Sequence, residues 1–362
     1  MIRYELKFAF VTPKNVLSEY ETYMLNKDRE ISYRFVDDKR IYNFIEEIKS
    51  LPNNNNIKGF ETASDISKYL KEQLDSLFEQ TNQHWTLWIH DDNSKDNTIS
   101  IIKEYQSKYP NKIKFLDDNI STGGAKENFT YLLENIDDDY EHIMFCDQDD
   151  VWLEDKIEIT LKKMLEIEKE NVDKPVLVYT DLYIYKNEKK NKYVKFMEYQ
   201  KLNYRFDTLN RLFMQNIVTG CTMMINKKGI EKISEIPKEA LMHDWWAALV
   251  ISAFGKIGFV NRATILYRQH DNNTVGAKKR DLTFFVNKIF NPISLKGNFL
   301  QIYKFKTLYY SSLDEHSKYI VDIFLSLQKK SYVKSRYLMF KHKIYKHGIM
   351  RNIALFIGKV KL

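Results

Sequence analysis

Cysteine is scarce in this chain, and proline and glycine are infrequent. The 362 residues include 2 Cys, 6 Pro and 11 Gly. Cys146 and Cys221 each lie inside an apolar stretch, which predicts small core residues in a reducing compartment and argues against a disulfide framework. Hydrophobic residues make up 44% of the chain and aromatics 14%, which excludes a fibrous or disordered protein. The composition therefore indicates a globular protein with a sizeable core.

Long apolar runs are also missing. No stretch reaches the ~18 consecutive apolar residues that a membrane-spanning helix requires. The first ten residues carry Glu5 and Lys7 within their apolar part and offer no small-residue cleavage site, unlike a secretory signal. We therefore expect a cytoplasmic protein that is soluble or held peripherally at the inner face of the cell membrane.

The charge of the chain is unevenly distributed. The formal net charge is +7, and residues 331–362 contain Lys and Arg but no Asp or Glu. Apolar side chains interleave with these cations: Tyr337, Phe340, Ile344, Ile353 and Phe356. The pattern predicts an interfacial helix on an anionic membrane surface, with packing against the rest of the protein as the alternative. Because the cations concentrate in this tail without a recognised binding motif, we expect no nucleic-acid partner.

Helical and strand patterns alternate between residues 65 and 145, and further strands are predicted in segments 176–185 and 216–226. Such alternation is typical of an α/β fold with a largely parallel sheet flanked by helices. In these folds ligands bind beyond the carboxyl ends of the strands. Polar residues that directly follow a predicted strand are therefore candidate site residues.

Two domains are predicted, at 1–280 and 281–362, the second being helical and basic. The first sheet strand is assigned to residues 6–12, which makes residues 13–64 an atypical insertion. The alternative places this strand at residues 57–63.

The strongest motif is FCDQDDVW, in which Asp147, Gln148, Asp149 and Asp150 follow an apolar strand and precede Trp152. Clustered carboxylates repel one another unless a cation or hydrogen-bond donors neutralise them. Their hard oxygen atoms favour Mg²⁺ or Mn²⁺. A solvated loop or a helix cap is the alternative.

A second acidic string, HDDNSKDNT, follows the predicted strand WTLWIH and contains Asp91 and Asp92. Carboxylates at this position can accept hydrogen bonds from a nucleoside base or a ribose hydroxyl. Asp and Ser also cap helices and turns, and Ser94 and Asp96 are assigned that role.

Several motifs occur together and in order: KYLKEQLDSLFEQ, HDDNSKDNT, NISTGGAKENF, FCDQDDVW, NIVTGCTMMIN, HDWW and ILYRQHDNN. Over residues 68–273 the chain resembles the family 2 glycosyltransferases, particularly their rhamnosyltransferase-like branch. The resemblance implies a GT-A fold, with a Rossmann-like mixed sheet between helices. It also implies an inverting, metal-dependent transfer of a sugar from a UDP or dTDP donor to a glycan or lipid-linked acceptor in surface polysaccharide synthesis.

The resemblance also implies roles for residues on the donor side. Asp91 resembles the aspartate that contacts the nucleotide base, with Asp92 beside it, and Asp147 resembles the one near ribose and metal. Lys126 falls where such enzymes often place a basic residue that contacts the base or phosphate, although an exposed helix lysine is the commoner explanation. Asp149 resembles the metal ligand.

Further roles follow from the later motifs. Asp244 resembles the catalytic base that takes the acceptor proton, with helix capping as its alternative. Arg268 is assigned to the diphosphate and His270 to the metal or phosphate. Three tryptophans are candidates for contact with the acceptor: Trp152, Trp245 and Trp246. The last two have a core role as their alternative.

The beginning of the chain departs from the family, which usually starts with a strand and a turn just before the KYLKEQ helix. If FVTPKN is that turn, Val11 and Thr12 approach the base. If the strand is degenerate, a catalytically inactive sugar-nucleotide scaffold becomes the alternative. A sugar-phosphate nucleotidyltransferase is disfavoured because no Gly-rich phosphate loop is visible near the start.

Overall fold

A computed structural model describes residues 2–4, 63–94, 96–137, 139–185, 193–268, 293–357 and 360–361. The strand predicted at residues 6–12, including Val11 and Thr12, lies outside the described residues, as does His270. The helices are α1 (Ala63–Phe78), α2 (Thr98–Lys108), α3 (Ala125–Asn135), α4 (Lys156–Glu170), α5 (Phe196–Tyr199), α6 (Leu209–Leu212), α7 (Lys227–Ile233), α8 (His243–Phe254), α9 (Lys296–Tyr309), α10 (Glu315–Ser326), α11 (Tyr332–Lys341) and α12 (Ile349–Ile357). The strands are β1 (Ile2–Tyr4), β2 (Leu87–Asp91), β3 (Ile113–Leu116), β4 (His142–Met144), β5 (Cys146–Asp147), β6 (Val151–Trp152), β7 (Val176–Tyr185), β8 (Tyr193–Lys195), β9 (Met223–Asn226), β10 (Lys256–Tyr267), β11 (Ile293–Ser294) and β12 (Val360–Lys361).

The first sheet is entirely parallel, with strand order β3-β2-β1-β5. Strand β1, at Ile2–Tyr4, occupies the place between β2 and β5 and begins before the strand predicted at residues 6–12. Helix α1 packs on this sheet through Leu70, Leu74 and Leu77, which recur at helical spacing and are buried in one cluster with Ile89 of β2. These contacts hold the carboxyl ends of the strands at one edge.

The second sheet is mixed, with order β4-β9-β7-β10-β6 and with β8 paired to β7. The apolar strand predicted directly before Asp147 divides in two, because β4 pairs with β9 while β5 pairs with β1 in the first sheet. Phe145, at the division, is buried in the main core. The strand predicted at 216–226 is also shorter, since Gly220–Thr222 form a 3₁₀ turn before β9. The α/β class and the mixed sheet flanked by helices are confirmed.

The C-terminal helices share the main core. Phe299 and Phe305 of α9, Phe324 of α10 and Met339 of α11 are buried in the same cluster as Trp246 of α8. Helices therefore predominate in residues 293–357, as predicted, and they are packed into the body of the protein. None of the helices within the described ranges combines the length and the apolar character needed to cross a bilayer.

Candidate active site

The two acidic strings lie at one edge of the parallel sheet. Asp91 ends β2 and Asp147 ends β5, and β1 lies between them with Tyr4 opposite Asp91 and Arg3 opposite Asp147. Neighbouring strands are about 4.8 Å apart, so the two backbone positions are separated by roughly 10 Å. The two acidic strings, each of which was predicted to follow a strand, thus reach the same edge of the sheet.

Asp91 and Asp92 organise the loops at this edge. The Asp91 carboxylate accepts hydrogen bonds from the Ser94 backbone N–H at 2.7 Å and the Ser94 hydroxyl at 2.5 Å. Burial raises the pKa of Asp91, and the two bonds from Ser94 oppose that rise. Asp92 accepts from the backbone N–H groups of Thr122 and Gly123, the latter at 3.0 Å. The two aspartates thus shape the rim of the edge, and the turn role predicted for Ser94 is confirmed.

The loop after β5 concentrates negative charge around a buried carboxyl group. One ligand atom from each of Asp147, Asp150 and Cys221 lies within 4.8 Å of the others. Asp150 is 0% exposed, and the Cys221 thiol and the Arg268 backbone N–H are donors that face its carboxylate. Burial, with the Asp149 and Asp147 charges, raises the pKa of Asp150 well above its usual range. A divalent cation would relieve this repulsion, so the carboxylates fit such an ion.

Cys221 contributes less to such a site than the carboxylates. Burial, assisted by the nearby charge of Asp150, raises the pKa of the Cys221 thiol well above its usual range. A protonated thiol is a poor ligand for a hard cation. We therefore assign it to the wall of the site, consistent with the predicted core role.

Lys156 and Trp152 lie behind the acidic loop. Both are buried, and the Lys156 Nζ atom lies 4.4 Å from the centre of the Trp152 ring. Burial lowers the pKa of Lys156 to about 8. The acceptor-side prediction for Trp152 is wrong, because its side chain is only 4% exposed and belongs to the core beneath the sheet edge.

Arg268 fastens the acidic loop to α1. Its Nη1 donates to the backbone carbonyl of Asp149 at 2.9 Å, and its Nη2 forms an ion pair with Glu72. Its guanidinium also lies 4.5 Å from the centre of the Tyr69 ring. Arg268 is therefore beside the predicted metal ligand Asp149, in contact with its backbone.

Asp244 lies in the first turn of α8, where the helix dipole favours a negative charge. Its carboxylate accepts from the Gly220 N–H at 3.0 Å and from the Trp245 N–H at 2.6 Å. Burial nevertheless raises the pKa of Asp244 to about 7; the two backbone hydrogen bonds oppose the rise, and the Asp147 charge adds to it. A carboxyl group with this pKa can exchange a proton near neutral pH.

Gly220 is fitted closely to the turn that bears Asp244. A Cβ atom at this position would lie 2.6 Å from Nε2 of His243. The His243 ring is itself packed between Phe129 and Phe145, with centroid distances of 4.4 and 5.2 Å. Only glycine therefore allows the backbone N–H of residue 220 to approach the Asp244 carboxylate in this arrangement.

The tryptophans after Asp244 serve the core. Trp246 is 0% exposed, and its Nε1 donates to the Glu235 carbonyl at 3.0 Å. The acceptor-side prediction for Trp246 is therefore wrong, and its alternative core role is correct. Trp245 is half-buried and donates from Nε1 to the Leu212 carbonyl at 2.6 Å.

Lys126 does not have a purely surface role. It lies in the first turn of α3, and its side chain is only 13% exposed. Its Nζ donates to the backbone carbonyls of Lys238 at 2.8 Å and Ala240 at 3.1 Å, and lies 3.2 Å from Glu127. These contacts tie α3 to the segment that precedes Asp244.

Three residues of this site were absent from the predicted set. Asp150 is visible as the last carboxylate of DQDD, and the apolar residues that follow it, Val151 to Leu153, are the available signal for burial. Glu72 and Gly220 act through contacts with Arg268 and Asp244, which are 196 and 24 residues away in sequence. No local pattern could have identified those two partners.

Comparisons with known proteins show the family to which the chain belongs. The profile of the family described as Glycosyl transferase family 2 matches residues 63–234. A dTDP-rhamnosyl transferase, RfbG of Shigella flexneri, is 30% identical over 218 residues, covering 58% of this chain and 71% of that protein. The UDP-Glc:alpha-D-GlcNAc-diphosphoundecaprenol beta-1,3-glucosyltransferase WfgD of Escherichia coli is 29% identical over 157 residues, covering 43% and 54%.

Solved structures give a weaker likeness. S. aureus TarS 1-349 in complex with UDP-GlcNAc aligns with a TM-score of 0.47 at 15% identity, covering 77% of this chain and 76% of that one. The family assignment depends instead on the profile match and on the relative from Shigella flexneri. The chain is a glycosyltransferase and belongs to glycosyl transferase family 2.

Proposed function

We propose that this glycosyltransferase moves a hexosyl group, rhamnose in the leading hypothesis, from a dTDP or UDP donor to a hydroxyl of a glycan or lipid-linked acceptor. The printed names of the relatives, a dTDP-rhamnosyl transferase and a UDP-glucose-dependent enzyme, support this class of donor. The observation that carries the proposal is the position of Asp244: its carboxylate accepts from the Gly220 N–H, and the next residue, Cys221, lies in the cluster with Asp147 and Asp150. We infer that the proton acceptor and the donor-binding edge belong to one site.

On the donor side, Asp91 and Asp147 are proposed to contact the nucleoside. Both end parallel strands at the edge where nucleotides bind in α/β folds. Both oxygens of Asp91 already accept bonds from Ser94, yet a carboxylate has about four acceptor positions, so a base N–H can still be bound. Asp92 is proposed to act indirectly, by holding the Thr122–Gly123 turn.

A Mn²⁺ or Mg²⁺ ion is proposed as cofactor, with Asp147 and Asp150 as ligands and Asp149 as the ligand predicted from the motif. The main support is the Asp150 carboxylate, which is fully buried beside the charges of Asp149 and Asp147. When bound, the cation would stabilise the negative charge that develops on the departing diphosphate. Arg268 is proposed to hold the Asp149 backbone in place for this contact.

Transfer of the sugar then needs one group that accepts the proton of the acceptor hydroxyl and one displacement at the anomeric carbon. Deprotonated Asp244 takes the proton of the acceptor hydroxyl while that oxygen bonds to the anomeric carbon, and the bond from this carbon to the diphosphate breaks. The Gly220 and Trp245 N–H groups hold the carboxylate in position and favour its charged form. A single displacement of this kind inverts the anomeric configuration.

The experiment is release of nucleoside diphosphate from a panel of dTDP and UDP sugars by the full chain with Mn²⁺. We expect release with at least one donor, and a fall of about 10²-fold or more in Asp244→Ala and in Asp149→Ala. Asp117→Ala, on the surface in an ion pair with Lys103, is the matched control. Undiminished release in both site variants would refute the assigned roles, and no release with any donor would favour the inactive scaffold.

We also propose that α11 and α12 form a surface that binds an anionic membrane. Val333, Tyr337 and Phe340 recur on one face of α11 and are 75%, 55% and 69% exposed. Tyr332 joins α11 to α12 by donating to the Phe356 carbonyl at 2.7 Å, so exposed Ile357 lies nearby. The absence of Asp and Glu from residues 331–362 complements the negative charge of a leaflet.

The predicted apolar stripe requires one correction. Ile344 is 0% exposed within the main core and cannot reach a bilayer, and Phe356 is partly buried against that core. Val333 replaces them in the proposed surface, which we call the α11 face: Val333, Tyr337 and Phe340. The packing alternative is thus correct for part of the stripe.

Flotation with anionic liposomes tests the α11 face. We expect the Val333→Ser, Tyr337→Ser, Phe340→Ser variant to lose most of its binding, since each side chain contributes about 1–2 kcal/mol of apolar burial. The matched control replaces exposed Leu165 and Val172, elsewhere on the surface, by Ser. Equal flotation of the native chain and the α11 variant would contradict the membrane proposal.

A further inference from the structure

The segment that carries Asp244 is fastened at several points. Residues 234–242, here called the base loop, connect α7 to α8. Trp246 holds its beginning by donating from Nε1 to the Glu235 carbonyl at 3.0 Å. Lys126 holds its middle, and Gln301 holds its end by accepting from the Leu241 N–H at 2.8 Å. Contacts from three different helices therefore fix one loop.

The Lys126 contact joins the donor side of the cleft to the base loop. Lys126 lies in the first turn of α3, directly after the Thr122–Gly123 turn that Asp92 holds. An ammonium group has three N–H donors, and the Lys126 ammonium faces two loop carbonyls and the Glu127 carboxylate. Its hydrogen-bonding capacity is thus directed to the base loop and to its own helix, and away from a nucleotide.

The Gln301 contact comes from another helix, α9. Gln301 lies on α9, is 0% exposed, and bonds the loop one residue beyond Ala240. A Cβ atom added to Gly297, also on α9, would lie 2.8 Å from Cδ2 of Leu241, so the helix packs directly on the loop. The base loop is therefore held between α3 and α9.

We propose that Lys126 and Gln301 are positioning residues, which hold the base loop so that Asp244 keeps its orientation toward the acceptor. This inference rests on the proposed role of Asp244. It differs from the role expected for Lys126 from the family resemblance, in which its ammonium contacts the base or phosphate of the donor. The two roles predict different consequences when the ammonium is removed.

Hydrogen exchange of the full chain tests the fastening without any donor. Lys126→Met keeps the aliphatic stem and removes the donors, and we expect amides of the base loop to exchange about tenfold faster or more. Gln301→Leu should have the same local effect, whereas Lys228→Met, which removes a surface ion pair with Glu231, should not. Unchanged exchange in both site variants, with native-like melting temperatures, would overturn the proposal.

Kinetics and nucleotide binding then separate the two roles of Lys126. We expect kcat to fall about 10- to 100-fold in Lys126→Met while the Kd for dTDP with Mn²⁺ stays within about twofold, because misorientation affects the transition state alone. Lys126→Arg, which can still donate to both carbonyls, should recover part of the kcat. A tenfold rise in the dTDP Kd with unchanged loop exchange would instead assign Lys126 to the nucleotide. If the native chain transfers no sugar, the proposed function fails, while the exchange result still decides the fastening.

Discussion

Replacement of Asp244 by Asn should abolish transfer and yet stabilise the fold at neutral pH. Folding raises the pKa of this carboxyl from 3.8 to about 7, chiefly by burial. The folded state therefore retains a proton that the unfolded state has lost, and the contribution of Asp244 to stability falls as pH rises from about 4 to about 7. A shift of about three pKa units corresponds to roughly 4 kcal/mol at most.

Denaturant titrations at pH 5, 6, 7 and 8 measure this effect as a difference between the native chain and Asp244→Asn. Asn can still accept one of the two bonds from Gly220 and Trp245, and it has no charge to desolvate. We expect the variant to gain stability relative to the native chain up to pH 7 and then level off. A difference that is flat across this range, or that favours the native chain at pH 8, would refute the reasoning about the buried carboxylate.

Three further predictions concern the site. The kcat of the native chain should rise with pH as Asp244 loses its proton, at a pKa of about 7. A bound cation that offsets the Asp147 charge would lower this pKa. A kcat that falls between pH 6 and pH 8 would contradict the role of Asp244 as a base. Asp150→Asn should weaken Mn²⁺ binding about tenfold or more, because the buried charge would no longer attract the cation. Titration with Mn²⁺ measures the affinity, and Asp117→Asn is the control. An unchanged affinity would remove Asp150 from the ligand set. Gly220→Ala should lower the free energy of unfolding by about 1–3 kcal/mol and lower kcat, since the added Cβ would lie 2.6 Å from Nε2 of His243. A variant with the native melting temperature and the native kcat would show that the turn adjusts freely.

Elements with a clear local pattern of apolar residues could be predicted from the sequence. The strand at Val176–Tyr185 has the predicted bounds, because its apolar residues are buried in the sheet. The placement of aspartates at strand ends was also predictable, since the carboxyl ends of parallel strands meet at one edge.

Contacts between segments that are distant in the sequence could not be predicted from the local pattern. The apolar run from His142 to Cys146 reads as one strand, and only its separate partners β9 and β1 divide it between two sheets. The ammonium of Lys126 lies on a helix surface by periodicity, but the carbonyls that it contacts are 112 and 114 residues away. Burial of Trp152 and Trp246 depends likewise on packing that their sequence neighbours do not specify.

We propose that Asp91, Asp147 and Asp244 face one cleft that holds a nucleoside diphosphate and a cation. A crystal structure of the full chain with dTDP and Mn²⁺ tests this arrangement. We expect the base beside Asp91, the ion on carboxylates of the loop after β5, and the open side of the diphosphate toward Asp244. Nucleotide bound elsewhere, or an Asp244 carboxylate turned to a surface away from the diphosphate, would contradict the account.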